Sequence, residues 1–138
     1  MAAAVGAMVQ IAAASQAAKA NEQAGQDRAR AYREQAEQAE SAAKDRELER
    51  LVRLRKTLSA QRAYWAGAGI DSTVGSPTTV ASRSYETFEL DQGADLINTR
   101  QQIRSFNNSA DAAIRMGKIK AKGSILGGVM GAANTWNS

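Results

Sequence analysis

Glu34, Glu37, Glu40, Asp45, Glu47 and Glu49 alternate with Arg30, Arg33, Lys44, Arg46, Arg50 and Arg53, and these are the side chains with the most chemistry in the sequence. Paired carboxylates perform general acid–base work when an enclosed site separates their pKa values. Here they recur among opposite charges at helical intervals, the arrangement of solvated helix sides laced with weak ion pairs. The chain has no cysteine and no histidine, which removes disulfides, thiolate nucleophiles, Ser-His triads and zinc sites of the usual ligand types. The missing cysteines leave the redox compartment undetermined. The glycines form no phosphate loop, because the Walker lysine and its strand are both missing. The sequence nominates no catalytic residue, cofactor or metal ligand, and it reads as non-enzymatic.

The chemistry that remains is association. Gly123, Gly127 and Gly131 fall four apart and are interleaved with Ile125, Leu126, Val129 and Met130. On a helix such glycines form one smooth stripe that lets another helix backbone approach closely, as in the small-residue interfaces of membrane helices. Residues 1–18 are similarly small and apolar and include Gly6. They read as an interfacial helix rather than a cleaved signal, since no Lys or Arg precedes the apolar run. Both ends are assigned to oligomer or membrane packing.

Elements that position these ends follow from periodicity. Between Lys19 and Gly67 no proline occurs and Gly25 is the only glycine, a run without breakers that marks a long helix. Tyr32, Ala36, Ala39 and Ala43, then Leu51, Leu54, Leu58 and Trp65, share one face, with a phase slip that Leu48 is expected to bridge. Gly67 and Gly69 stop this helix, and Ser76 followed by Pro77 is a start signal with Ser76 as N-cap. Leu96, Ile103, Phe106, Ala110, Ala113 and Gly117 mark the face of a second helix.

The expected fold is all-α: a long antiparallel helical hairpin with small-residue apolar ends, assembling as an oligomer. Its segments are an apolar N-terminal helix segment (1–18), a charged long helix (19–66), a turn (67–78), a second long helix (79–122) and a glycine-striped apolar segment (123–138). Folding a chain with nearly equal arms at this turn sets residue i opposite roughly residue 142 − i, bringing both apolar ends to one pole. Lys19 then lies near Arg115, Lys118, Lys120 and Lys122 as a basic collar. Lysines at such a border snorkel toward phosphate head groups; the alternative is that they complement the C-terminal helix or maintain solubility. At the opposite pole Tyr64, Trp65, Ile70 and Pro77 surround the turn. Trp65 is expected to close the hairpin core, with an aromatic docking site for a partner as the alternative.

The net charge of +4, from 18 basic and 14 acidic residues, falls short of a dedicated nucleic-acid arm. Non-specific DNA contact through Arg28, Arg30, Arg33 and the 50–56 run is a third expectation, which salt-steep affinity would reveal. A spanning helix needs about 20 apolar residues, more than residues 124–136 supply. Extending that segment backward would carry lysines inward at roughly 2.5–3.5 kcal/mol each. Single-copy insertion is therefore disfavoured, whereas in several copies with their glycine faces together close packing and paired polar groups would replace lipid contact.

The Ala/Gln/Glu/Arg-rich first helix, the central run from Ala63, Tyr64 and Trp65 through Gly69, Ile70 and Asp71 to Gly75, Ser76 and Pro77, and the Gly/Ala-rich C-terminus resemble the small internal virion (ejection) proteins of short-tailed bacteriophages, the podovirus internal core protein family. The resemblance implies a multi-copy component, a ring or tube, stored in the virion interior with other internal proteins near the portal. It would be expelled with the genome into the host envelope, there to help form a DNA channel. A soluble coiled-coil adaptor or core scaffold without membrane activity is the competing expectation.

Overall fold

A computed structural model describes the backbone of residues 2–71 and 73–136 and the side chains of residues 8–71 and 73–133. Two helices account for nearly all of it: α1, Ala2–Gly67, and α2, Ser76–Trp136. No strand occurs among the described residues, and the fold is all-α, with α1 and α2 packed antiparallel. Contacts group the chain into two units, Met1–Ala36 with Arg104–Ser138 and Glu37–Ile103.

The turn is built by three local devices. Gly69 adopts φ +71°, the Ile70 N–H donates to the Trp65 carbonyl at 2.9 Å and the Gly69 N–H to the Ala66 carbonyl at 3.1 Å. That is a Schellman ending, which supplies donors to carbonyls that helix termination leaves open. Gly69 is therefore the residue whose left-handed conformation stops α1, while Gly67 is its last helical residue. The Asp71 carboxylate next accepts the Thr73 N–H at 2.9 Å and the Thr73 hydroxyl at 2.6 Å. Finally Gly75, at φ +77°, offers its carbonyl to the N–H groups of Thr78 and Thr79 at 3.2 and 3.4 Å. The cap thus sits on Gly75, one residue before the Ser76 expected from the Ser-Pro signal.

In the unit formed by Met1–Ala36 and Arg104–Ser138 the helices meet through a thin seam. Its buried side chains are alanines: Ala18, Ala29 and Ala36 face α2, and Ala110, Ala121 and Ala132 face α1. At one point even a methyl group is too large. A Cβ on Gly25 would stand 2.9 Å from the Ala113 carbonyl oxygen and 3.0 Å from the Gly117 Cα, and one on Gly117 would stand 2.9 Å from the Asn21 carbonyl oxygen. Backbone therefore lies on backbone there. Further along, a Cβ on Gly128 would collide with the Ala14 Cβ, and Asn21 Nδ2 donates to Ser124 Oγ at 3.0 Å. Gly25 with Gly117 and Ala14 with Gly128 have the pairing expected of equal arms.

The Glu37–Ile103 unit packs with larger side chains. Leu51, Leu54, Leu58 and Trp65 are half-buried on α1, as are Ala81, Phe88 and Ile103 on α2, and Pro77 is buried. Where the α1 periodicity slips, the structure departs from expectation. Leu48 does not bridge the slip, being 61% exposed, and Leu96 is 48% exposed. A polar layer takes their place: the Asp95 carboxylate receives Arg46 Nε and Arg50 Nη2, both at 3.3 Å. Arg46 Nη2 also donates to the hydroxyl of buried Thr99 at 3.4 Å, Arg50 Nη1 to the Asp91 carbonyl at 3.3 Å, and Gln92 Nε2 to Glu47 Oε1 at 2.7 Å. A charged layer in an apolar seam fixes register more than it stabilises, because only one axial alignment satisfies it.

Candidate functional site

The site supported by the packing is a surface, at the end of the Met1–Ala36 and Arg104–Ser138 unit that carries residues 8–18 and 124–133. The apolar ends expected to meet do so there: Ile11, Ala14 and Ser15 of α1 and Ile125 and Val129 of α2 line a small apolar recess of about 120 Å³. Because the seam is made of alanine and glycine, it consumes little of the large apolar surface around it. Met8, Val9, Met116, Ile119, Leu126 and Met130 are all exposed, Leu126 by 65% and Met130 by 72%.

The glycines of the expected stripe divide between two faces. Gly131 sits near α1, where a Cβ would meet Gln10 Oε1 at 3.4 Å, whereas added carbons on Gly123 and Gly127 would meet nothing within 4 Å. Gly123 and Gly127 lie on the free side of α2. Gly128, absent from the expected stripe, accommodates Ala14 of α1. Gly6 falls within α1 but outside the residues whose packing is described. The Gly25–Gly117 contact was not recognised from sequence, although the pairing rule that aligned the two ends also sets these residues opposite each other.

Lys19, Arg115, Lys118, Lys120 and Lys122 are exposed and belong to the same unit. None of them forms an ion pair among the described residues. The last charged residue is Lys122, so that residues 123–138 are neutral throughout. An uncharged, apolar tip thus adjoins a run of cations on the same helix.

Residues at the turn also separate by environment. Pro77 is buried and Trp65 half-buried, while Tyr64 and Ile70 face outward. Trp65 meets Tyr64 edge-to-face with ring centroids 5.2 Å apart, a favourable aromatic arrangement. Trp65 and Pro77 share a groove wall with Leu58, Ala81 and Tyr85. The Thr73 hydroxyl, then the Thr73 amide, hold the Asp71 carboxyl below its ordinary value. No cluster of three or more metal-binding carboxylates occurs among the described residues, and none of the described helices is long and apolar enough to cross a membrane.

What this arrangement can do is bind surface to surface, through apolar side chains bordered by cations. Comparisons with family models, with characterised proteins and with solved structures find no match to this chain.

Proposed function

We propose that this chain is a non-enzymatic assembly protein of the internal virion type. It is stored in several copies near the portal of a short-tailed phage with other internal proteins, and is ejected with the DNA into the host envelope, where it contributes to a channel for genome delivery. One observation carries the proposal: large apolar side chains and open glycines lie on the outside of the unit that joins the two chain ends, beside exposed lysines. Surfaces of that kind mark association sites, and the cationic border suits phosphate head groups. The likeness of residues 63–77 and of the Gly/Ala-rich end to ejection proteins supplies the setting.

Quantitative mass spectrometry of particles tests this directly. Native virions should contain several copies of the chain, and particles triggered to release their genome should have lost them. Retention of all copies in emptied particles would refute delivery.

A second reading, an adaptor or core scaffold that never meets lipid, is favoured by the lack of a membrane-length apolar segment among the described helices. It expects no partition into anionic vesicles at any protein concentration. Contact with DNA through the arginines of α1 is expected to be non-specific and to weaken steeply with salt.

A further inference from the structure

We infer that the free face of α2 is a self-association site, on which a second copy packs antiparallel with its two-fold axis at Gly123. The inference rests only on the multi-copy part of the proposed function. Met116, Ile119, Gly123, Gly127 and Met130 recur at intervals of three or four, so they form one stripe along the helix. All five are exposed. Buried Ala110, Gly117, Ala121 and Ala132 form the stripe that faces α1, on the other side of the helix. A helix that is apolar on opposite sides is built to be covered twice.

The stripe is its own antiparallel complement. Turned about Gly123, it sets Ile119 of one copy over Gly127 of the other and Met116 against Met130, with glycine meeting glycine at the axis. Since a carbon added at Gly123 or Gly127 meets nothing within 4 Å inside the protomer, both positions are free to receive a partner's side chain or backbone. Such an isologous contact uses one patch twice.

Charge selects the direction. Arg115, Lys118, Lys120 and Lys122 precede the axis and no charged residue follows it. Antiparallel packing puts each basic half against the other copy's neutral half, whereas parallel packing would stack lysine beside lysine.

The absence of native cysteine gives a clean test. Full-length Met116→Cys and Met130→Cys proteins are purified separately, mixed, oxidised with copper phenanthroline and resolved without reductant, while sedimentation is followed on the unmodified chain. The expected result is a disulfide dimer at least tenfold more abundant in the mixture than in either protein alone. Gly127→Leu should abolish it with helicity by circular dichroism unchanged. Self-links at each position in place of the mixed link would establish parallel packing and overturn the inference. Oligomers that sediment but do not cross-link here would overturn it too, while leaving the multi-copy proposal intact. A monomer whose fluorophore at Leu126→Cys shifts only with phosphatidylglycerol vesicles would make lipid the occupant and overturn it as well.

Discussion

Replacing Gly25 with alanine should destabilise the protein even though alanine is the better helix former. In an exposed helix interior the exchange gains about 0.8–1 kcal/mol. Gly93 lies within α2 and an added carbon there meets nothing within 4 Å, so Gly93→Ala should show that gain. At Gly25 the added carbon meets the Ala113 carbonyl oxygen at 2.9 Å and the Gly117 Cα at 3.0 Å. Both are backbone atoms of a helix, with no rotamer to yield, so the helices must separate by several tenths of an ångström. Overpacking of this kind costs about 1–3 kcal/mol, and separation also loosens the neighbouring contacts of Ala18, Ala29 and Ala121. The net expectation for Gly25→Ala is a loss of about 1–2 kcal/mol. Urea unfolding followed by circular dichroism at 222 nm, at two protein concentrations to separate association from folding, measures both variants. A stabilised Gly25→Ala protein, matching Gly93→Ala, would refute backbone-to-backbone contact at this position.

The Gly128→Ala substitution should likewise destabilise by about 1–2 kcal/mol through its clash with Ala14, and the double variant with Ala14→Gly should recover most of that loss in a denaturation cycle. Asp95→Ala removes the acceptor shared by Arg46 and Arg50; it should cost about 1–3 kcal/mol, more than Arg46→Ala, because one deletion leaves two guanidinium groups without their carboxylate. For Asp71, whose carboxyl is held below its ordinary value by the Thr73 hydroxyl and then the Thr73 amide, the small stabilisation is present above the ordinary carboxylate pKa. It is lost as pH falls through the lowered value. Carbon-detected NMR titration should show Thr73→Val raising the Asp71 pKa toward normal.

The helices and their pairing were legible because breaker-free length, the Gly69 stop and equal arms are local facts of the chain. The inner face was legible wherever side chains were apolar or small on both helices, as at Tyr32, Ala36, Leu54, Ile103 and Phe106. It was misread at Leu48 and Leu96, since counting apolar residues passes over a position that a charge network can occupy. Arg46 and Arg50 reach Asp95 from turns of α1 where no apolar residue faces inward, and Leu48 and Leu96 are left to solvent. Ser76-Pro77 predicted the start of α2 within one residue, but the carbonyl of left-handed Gly75 supplied the cap. The glycine stripe was visible as a pattern, yet no pattern on one helix reveals which side its neighbour takes. That depended on the crossing at Gly117, whose partner Gly25 lies on the other helix, far away in sequence.

Using glycine and alanine for the internal seam has a consequence for assembly. A methyl-lined contact brings helices close but withdraws little apolar area from water, and hydrophobic stabilisation scales with that area. The large apolar side chains of the terminal unit, Ile119, Leu126 and Met130 among them, remain exposed and add nothing to the lone protomer. A second copy covering them, as we propose, would bind the folded chain and not the unfolded one, and the stability of α2 would then rise with protein concentration. The Asp95 layer complements this by holding register where apolar packing is thin. Two helices aligned by polar contacts and glycine fit, with Ile119, Leu126 and Met130 turned outward, make a protomer whose apolar surface the proposed second copy would cover.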